Sequence, residues 1–144
     1  MFLWVMVGAL AVGAPKAAPA GDPRALVGEW VAVTSTHDGM ERTVPEGAYV
    51  LVFAADGKMT EVRGPAGPRG EGTYTTDPKA GPPAIDFIRP PEQKRPPLRG
   101  IYQVDGDTLT VCLPDDPEGE RPKKFEAPAK AKALLLTFKR AKKD

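Results

Sequence analysis

The chain has 144 residues, the size of one ordinary domain, and sets 20 Lys and Arg against 19 Asp and Glu. So balanced a surface has no strong field to draw it onto nucleic acid, which argues against polyanion binding as its main activity. Seventeen prolines and 15 glycines fall between apolar runs rather than in one block, and no three-to-four spaced apolar stripe offers a long helix. The class this leaves is all-β.

Phe2 to Ala14 is an apolar run of about 13 residues. That is too short for a bilayer span of roughly 20 and suits the core of a signal peptide. No Lys or Arg precedes it, so either the start lies upstream or this is a minimal signal whose positive end is the terminal amine alone. Ala18-Pro19-Ala20 offers small residues before Gly21. Residues 1–20 therefore read as a signal peptide and 21–144 as a single exported domain, periplasmic or extracellular, with no membrane span after processing. No cysteine follows the run, which excludes a lipoprotein anchor. Removal of Lys16 leaves 19 charges of each sign.

Gly21 to Arg24 reads as linker, and Leu26 to Ser35 as a first strand that ends at His37-Asp38-Gly39. Gly47 to Ala55 is a second, with Tyr49, Leu51 and Phe53 on one face. Asp56-Gly57 turns the chain into Lys58 to Val62, and a Gly/Pro loop leads to Gly72 to Thr76. Ala84 to Ile88 is short, with Ile85 and Phe87 on one face. Arg89 to Pro97 is a stiff loop with four prolines. Asp105-Gly106 between alternating runs is a two-residue hairpin signal that predicts Tyr102 opposite Leu109, with a positive φ at both Asp105 and Gly106. Pro114 to Glu120 is an acidic loop, Arg121 to Phe125 a short extended piece, and Ala133 to Arg140 the last strand. About eight strands at ten-residue spacing predict an up-and-down barrel or a sandwich.

Several phrases carry a family resemblance: Leu26-Val-Gly-Glu-Trp30, Pro83-Ala-Ile-Asp-Phe87, Gly100-Ile-Tyr102, Gly106-Asp-Thr-Leu109 with Cys112-Leu113, Arg121-Pro122 with Phe125, and Leu135-Leu-Thr-Phe-Lys-Arg140. In this order they resemble an uncharacterised family of small exported domains expanded in planctomycete bacteria. Arg89 to Pro97 departs from that family's more glycine- and lysine-rich turn. The resemblance implies a lipocalin-like barrel and transfers no catalytic residue. Gly28-x-Trp30 is also similar to the Gly-x-Trp of lipocalins, where an Arg near the last strand packs across the Trp and closes the barrel end. Arg140 holds the matching place, and Gly28 fits where two backbones converge.

The catalytic inventory is thin. His37 is the only histidine and reads as a solvated turn residue; Ser35 shares its face, without an oxyanion-hole motif. Asp105 and Asp107 read as turn chemistry, and Asp86, between Ile85 and Phe87, as a structural ion-pair member for an Arg. The four carboxylates in Asp115 to Glu120 lack the ligand spacing of a calcium loop. Cys112, the lone cysteine, reads as a packed, inert thiol. The proline loop could serve as a ligand for another protein, although strand connection accounts for it.

The expected protein is an all-β, antiparallel, up-and-down lipocalin-like barrel, monomeric and not an enzyme, with no cofactor or metal. Its expected partner is a small apolar ligand in an interior lined by Trp30, Leu51, Phe53, Tyr102, Leu109, Leu136 and Phe138. Gly28, Trp30, Arg140, Gly106 and Asp86 are the expected structural residues. Those interior side chains are bulky, so a filled barrel acting as a structural or interaction module is the alternative, and an enzyme of unrecognised type the second.

Overall fold

The computed structural model describes residues 22–141, apart from 65–68, 91, 93, 95, 117 and 131, and for Arg69 the backbone alone. The expected signal peptide, residues 1–20, lies outside the described residues. The expected linker instead closes into a one-turn helix, α1 (Pro23–Leu26). Asp22 accepts from the Arg24 amide at 2.9 Å and Pro23 takes the first helical position, where its missing N–H costs nothing.

Nine strands follow among the described residues: β1 (Gly28–His37), β2 (Met40–Thr43), β3 (Val50–Phe53), β4 (Lys58–Val62), β5 (Arg69–Asp77), β6 (Ala84–Ile88), β7 (Leu98–Asp105), β8 (Thr108–Pro114) and β9 (Ala133–Arg140). From β3 to β9 each strand pairs antiparallel with the next. β9 returns to β1, and β1 to β3, so eight strands close an up-and-down barrel. No helix among the described residues is long and apolar enough to cross a membrane.

All eight expected strands are present, and two expectations need correction. β5 begins at Arg69 rather than Gly72. Arg121 to Phe125 forms no strand. β2 was not expected at all; it is fully exposed and pairs only with the far half of β1. A bulge makes room for it. β9 pairs Thr137 with Thr34 and Phe138 with Ala32, which leaves Val33 as the extra residue. On one side of the bulge β1 pairs with β3, and beyond it with β2.

The β7–β8 hairpin also differs in register. Asp105 stands opposite Thr108, Val104 opposite Leu109 and Tyr102 opposite Val111, so the loop is Gly106-Asp107 and not Asp105-Gly106. Gly106 has φ +60°, while Asp105 is not among the positive-φ residues. Glycine at the first loop position with a positive φ is the type II′ arrangement, which also matches strand twist. The shift is an even number of residues, so no side chain changes face. A Cβ on Gly106 would meet nothing within 4 Å, so the cost of replacing it is backbone strain alone. Gly106→Val is expected to lose about 1–3 kcal/mol, and Gly106→Asn, which tolerates a positive φ, much less. Equal urea midpoints for the two variants would remove this turn assignment.

The barrel interior is filled. Trp30, Phe53, Tyr102, Leu109, Val111 and Phe138 are no more than 1% exposed and belong to one apolar cluster. Phe53 anchors its middle, edge-on to Tyr74 at 4.9 Å and stacked on Phe87 at 6.2 Å between ring centroids. A smaller layer lies outside the sheet, where Ala84, Ile101, Cys112 and Ala127 are buried but separate from that cluster. The segment from Asp115 to Lys132 covers it. Gly39 N–H bonds Ala127 O at 2.7 Å, Asp115 N–H bonds Lys132 O at 3.0 Å, and Asp38 accepts from Lys130 N–H at 2.8 Å. Beneath it the Cys112 thiol donates to Glu126 O at 3.5 Å, and burial pushes the thiol pKa up. A protonated, covered thiol is a poor nucleophile.

Candidate functional site

The two ends of the barrel differ. At the end where β1 starts and β9 stops, the chain builds a plug. The Arg140 guanidinium lies over the Trp30 ring at 4.2 Å. It donates from Nη1 to Val27 O at 3.0 Å and from Nη2 to Ala25 O at 2.8 Å, while Nε faces Asp107 at 3.4 Å. Trp30 Nε1–H donates to Leu26 O at 2.8 Å, so α1 is tied down over the ring. Gly28, at φ +134°, is required here for a reason other than converging backbones. A Cβ would stand 2.9 Å from Arg140 Nη1, so the missing side chain is the space the guanidinium fills.

The opposite end holds a cavity of about 100 Å³. Inward positions alternate along each strand, so Leu51 on β3, with Tyr49 just before it, Glu61 and Met59 on β4, and Gly70 and Gly72 on β5 all turn toward it. Phe87, Leu98 and Leu113 complete its apolar wall, and Arg89 and Pro90 its rim. The void follows from the two glycines, which stand where the alternation calls for inward side chains. They are not equivalent. A Cβ on Gly72 would stand 2.5 Å from Ile88 O, whereas on Gly70 it would meet only Glu61 Oε1, at 4.0 Å.

The polar groups of this cup are few. Tyr49 donates its hydroxyl to Glu61 Oε2 at 2.5 Å. Burial first, and then the neighbouring carboxylate, push the Tyr49 pKa far above the ordinary tyrosine range, so the hydroxyl stays a donor. Arg63 Nε faces Glu61 Oε1 at 3.4 Å, and its guanidinium lies 5.4 Å from the centre of the Tyr49 ring.

Of the seven residues expected to line the ligand-holding interior, Leu51 alone borders the cup. Trp30, Phe53, Tyr102, Leu109, Leu136 and Phe138 belong to one packed apolar cluster, and none of them lines the cup. Asp86 lies outside the barrel with Oδ1 2.7 Å from Arg121 Nη1. That nitrogen also donates to Gly100 O at 2.8 Å, and Asp86 Oδ1 has no aligned hydrogen bond of its own, so charge alone holds the pair. His37 Nε2 is 2.8 Å from Asp115 Oδ2, in an exposed pairing that links β1 to the acidic loop. Among the described residues no group of His, Cys, Asp or Glu side chains is gathered as a metal site would need.

Sequence reasoning missed Tyr49, Glu61, Gly70 and Arg89 as members of one site. Glu61 shares a face with Met59 by simple alternation, and Arg89 follows Phe87 two residues on. Those were the available signals.

No family model matches the chain, and no curated protein matches it. Among solved structures it is similar to a DUF4847 family protein from Bacteroides vulgatus, with 19% sequence identity over 81% of this chain and 94% of that one, at a TM-score of 0.44. At that identity and score the likeness transfers no residue role.

Proposed function

We propose that this protein is an exported, monomeric, non-catalytic barrel of lipocalin-like type, which holds a small apolar ligand in the cup opposite the Trp30–Arg140 plug. The observation that carries the reading is the inequality of the ends. One is closed by stacked and hydrogen-bonded side chains; the other keeps an apolar hollow with a few convergent polar groups, the usual make-up of a ligand site. The plug also supports the lipocalin-like type, and the apolar leader with its small-residue junction supports export. The cup is well below the roughly 300 Å³ at which sites for drug-sized molecules begin, so the ligand is small or offers one small apolar end. The filled interior favours a second reading, a structural module with no ligand.

Methyl NMR with short aliphatic alcohols and amides separates the two. Binding is expected to shift the methyls of Leu51, Met59, Leu98 and Leu113 and to leave Leu109 and Leu136 unmoved. Gly70→Leu, which has room for its Cβ, is expected to fill the cup and abolish those shifts without lowering the urea midpoint. If no probe moves the cup methyls, the binding reading falls and the structural module stands.

A further inference from the structure

The charges around the cup are unequally satisfied, and this deepens the proposed binding function, on which it rests. Glu61 has both oxygens engaged, Oε2 by the Tyr49 hydroxyl and Oε1 by Arg63. Tyr49 has its proton committed to Glu61. Arg89 borders the same cavity and lies close enough to act electrostatically on the buried Tyr49 hydroxyl. Yet among the described residues its guanidinium has no hydrogen bond and no ion pair. Glu71 also borders the cavity, but the alternation that turns Gly70 and Gly72 inward turns its exposed side chain to the outer face, so the unpaired charge on the inner side of the rim is positive. From this we infer that the cup takes a short-chain monocarboxylate, its carboxylate on the Arg89 guanidinium and its aliphatic tail against Leu51 and Phe87.

Each part of that ligand answers to something in the site. A planar guanidinium offers two parallel N–H donors, which match the two oxygens of a carboxylate. An amine would face Arg89 and find the Glu61 oxygens already in use. An apolar molecule with no head would fill the hollow and leave the guanidinium without a partner. Size limits the tail. About 100 Å³ is the share of roughly three water molecules, which suits a chain of a few carbons and excludes a long fatty acid lying wholly inside.

Butyrate, with butyramide as the neutral isostere and butylamine as the cation, tests the inference on the full exported chain by methyl NMR titration. Butyrate is expected to shift the Leu51 and Leu113 methyls with at least about tenfold higher affinity than butyramide, and butylamine to bind weakest. Arg89→Gln is expected to weaken butyrate binding by about ten- to a hundredfold, the range for hydrogen bonds to a charged group. The same variant should leave butyramide and the urea midpoint unchanged, and Arg89→Lys should fall between. Equal binding of butyrate and butyramide, or an Arg89→Gln variant that binds butyrate normally, would overturn the carboxylate while the cup remains a binding site. Silence of the cup methyls toward all three probes would overturn the binding reading itself.

Discussion

Trp30→Ala is expected to lower stability by about 3–5 kcal/mol, the usual cost of truncating a buried aromatic in a core that cannot collapse around the gap. Trp30 is 0% exposed and touches three parts of the molecule at once. Its ring belongs to the barrel cluster, its outer face carries Arg140, and its Nε1–H holds α1 through Leu26 O. Removing the ring therefore opens a void and also releases the helix above it. Trp30→Phe separates those effects, because it keeps much of the ring area and loses the donor. Its expected cost is about 1–2 kcal/mol, that of one buried acceptor left unpaired. Urea titration of both variants measures the difference, and an alanine variant with an unchanged midpoint would contradict the plug.

Arg140→Ala is expected to cost about 2–4 kcal/mol. Two charge-assisted hydrogen bonds, to Val27 O and Ala25 O, are lost together with the cation–π contact. The figure stays below their simple sum because Arg140 is about 31% exposed and water can replace part of what is lost. Arg140→Lys keeps a charge near the ring but cannot reach two carbonyls from one planar fork, so about half of the loss is expected. Since the guanidinium rests on the indole, the double variant should cost clearly less than the two single losses added. Strict additivity in that cycle would mean that the contact at 4.2 Å carries no energy.

The plug was legible in the sequence because it rests on few residues with distinctive chemistry: a glycine, a tryptophan two residues on, and an arginine on the apolar face of the last strand. The eight barrel strands were legible through alternation and turn residues. β2 was not, since Met40-Glu41-Arg42-Thr43 has no apolar alternation and is held by its hairpin to β1. The hairpin register was not legible, because Asp105-Gly106 and Gly106-Asp107 both make acceptable two-residue loops. Arg121 offers a different lesson. Its segment reads as extended, but no strand forms there, and its side chain instead ties the chain to Asp86 and Gly100 O. The cup was the least legible part. Alternation puts Glu61 inward, yet whether an inward carboxylate near a strand end meets core or solvent depends on strand stagger around the closed barrel, which no local pattern records.

The closure of β9 onto β1 joins segments from opposite ends of the folded chain. Loop-closure entropy must be met before such a contact yields anything, so this seam forms late and the barrel belongs with slow-folding β topologies. Until residues Ala133 to Arg140 are made, β1 and β8 each present a bare hydrogen-bonding edge, and Trp30 has no arginine above it. An incomplete chain is thus a sticky open sheet rather than a weaker barrel. A stop codon before Ala133 would produce aggregation, whereas loss of the few residues after Ala141 would leave the seam intact.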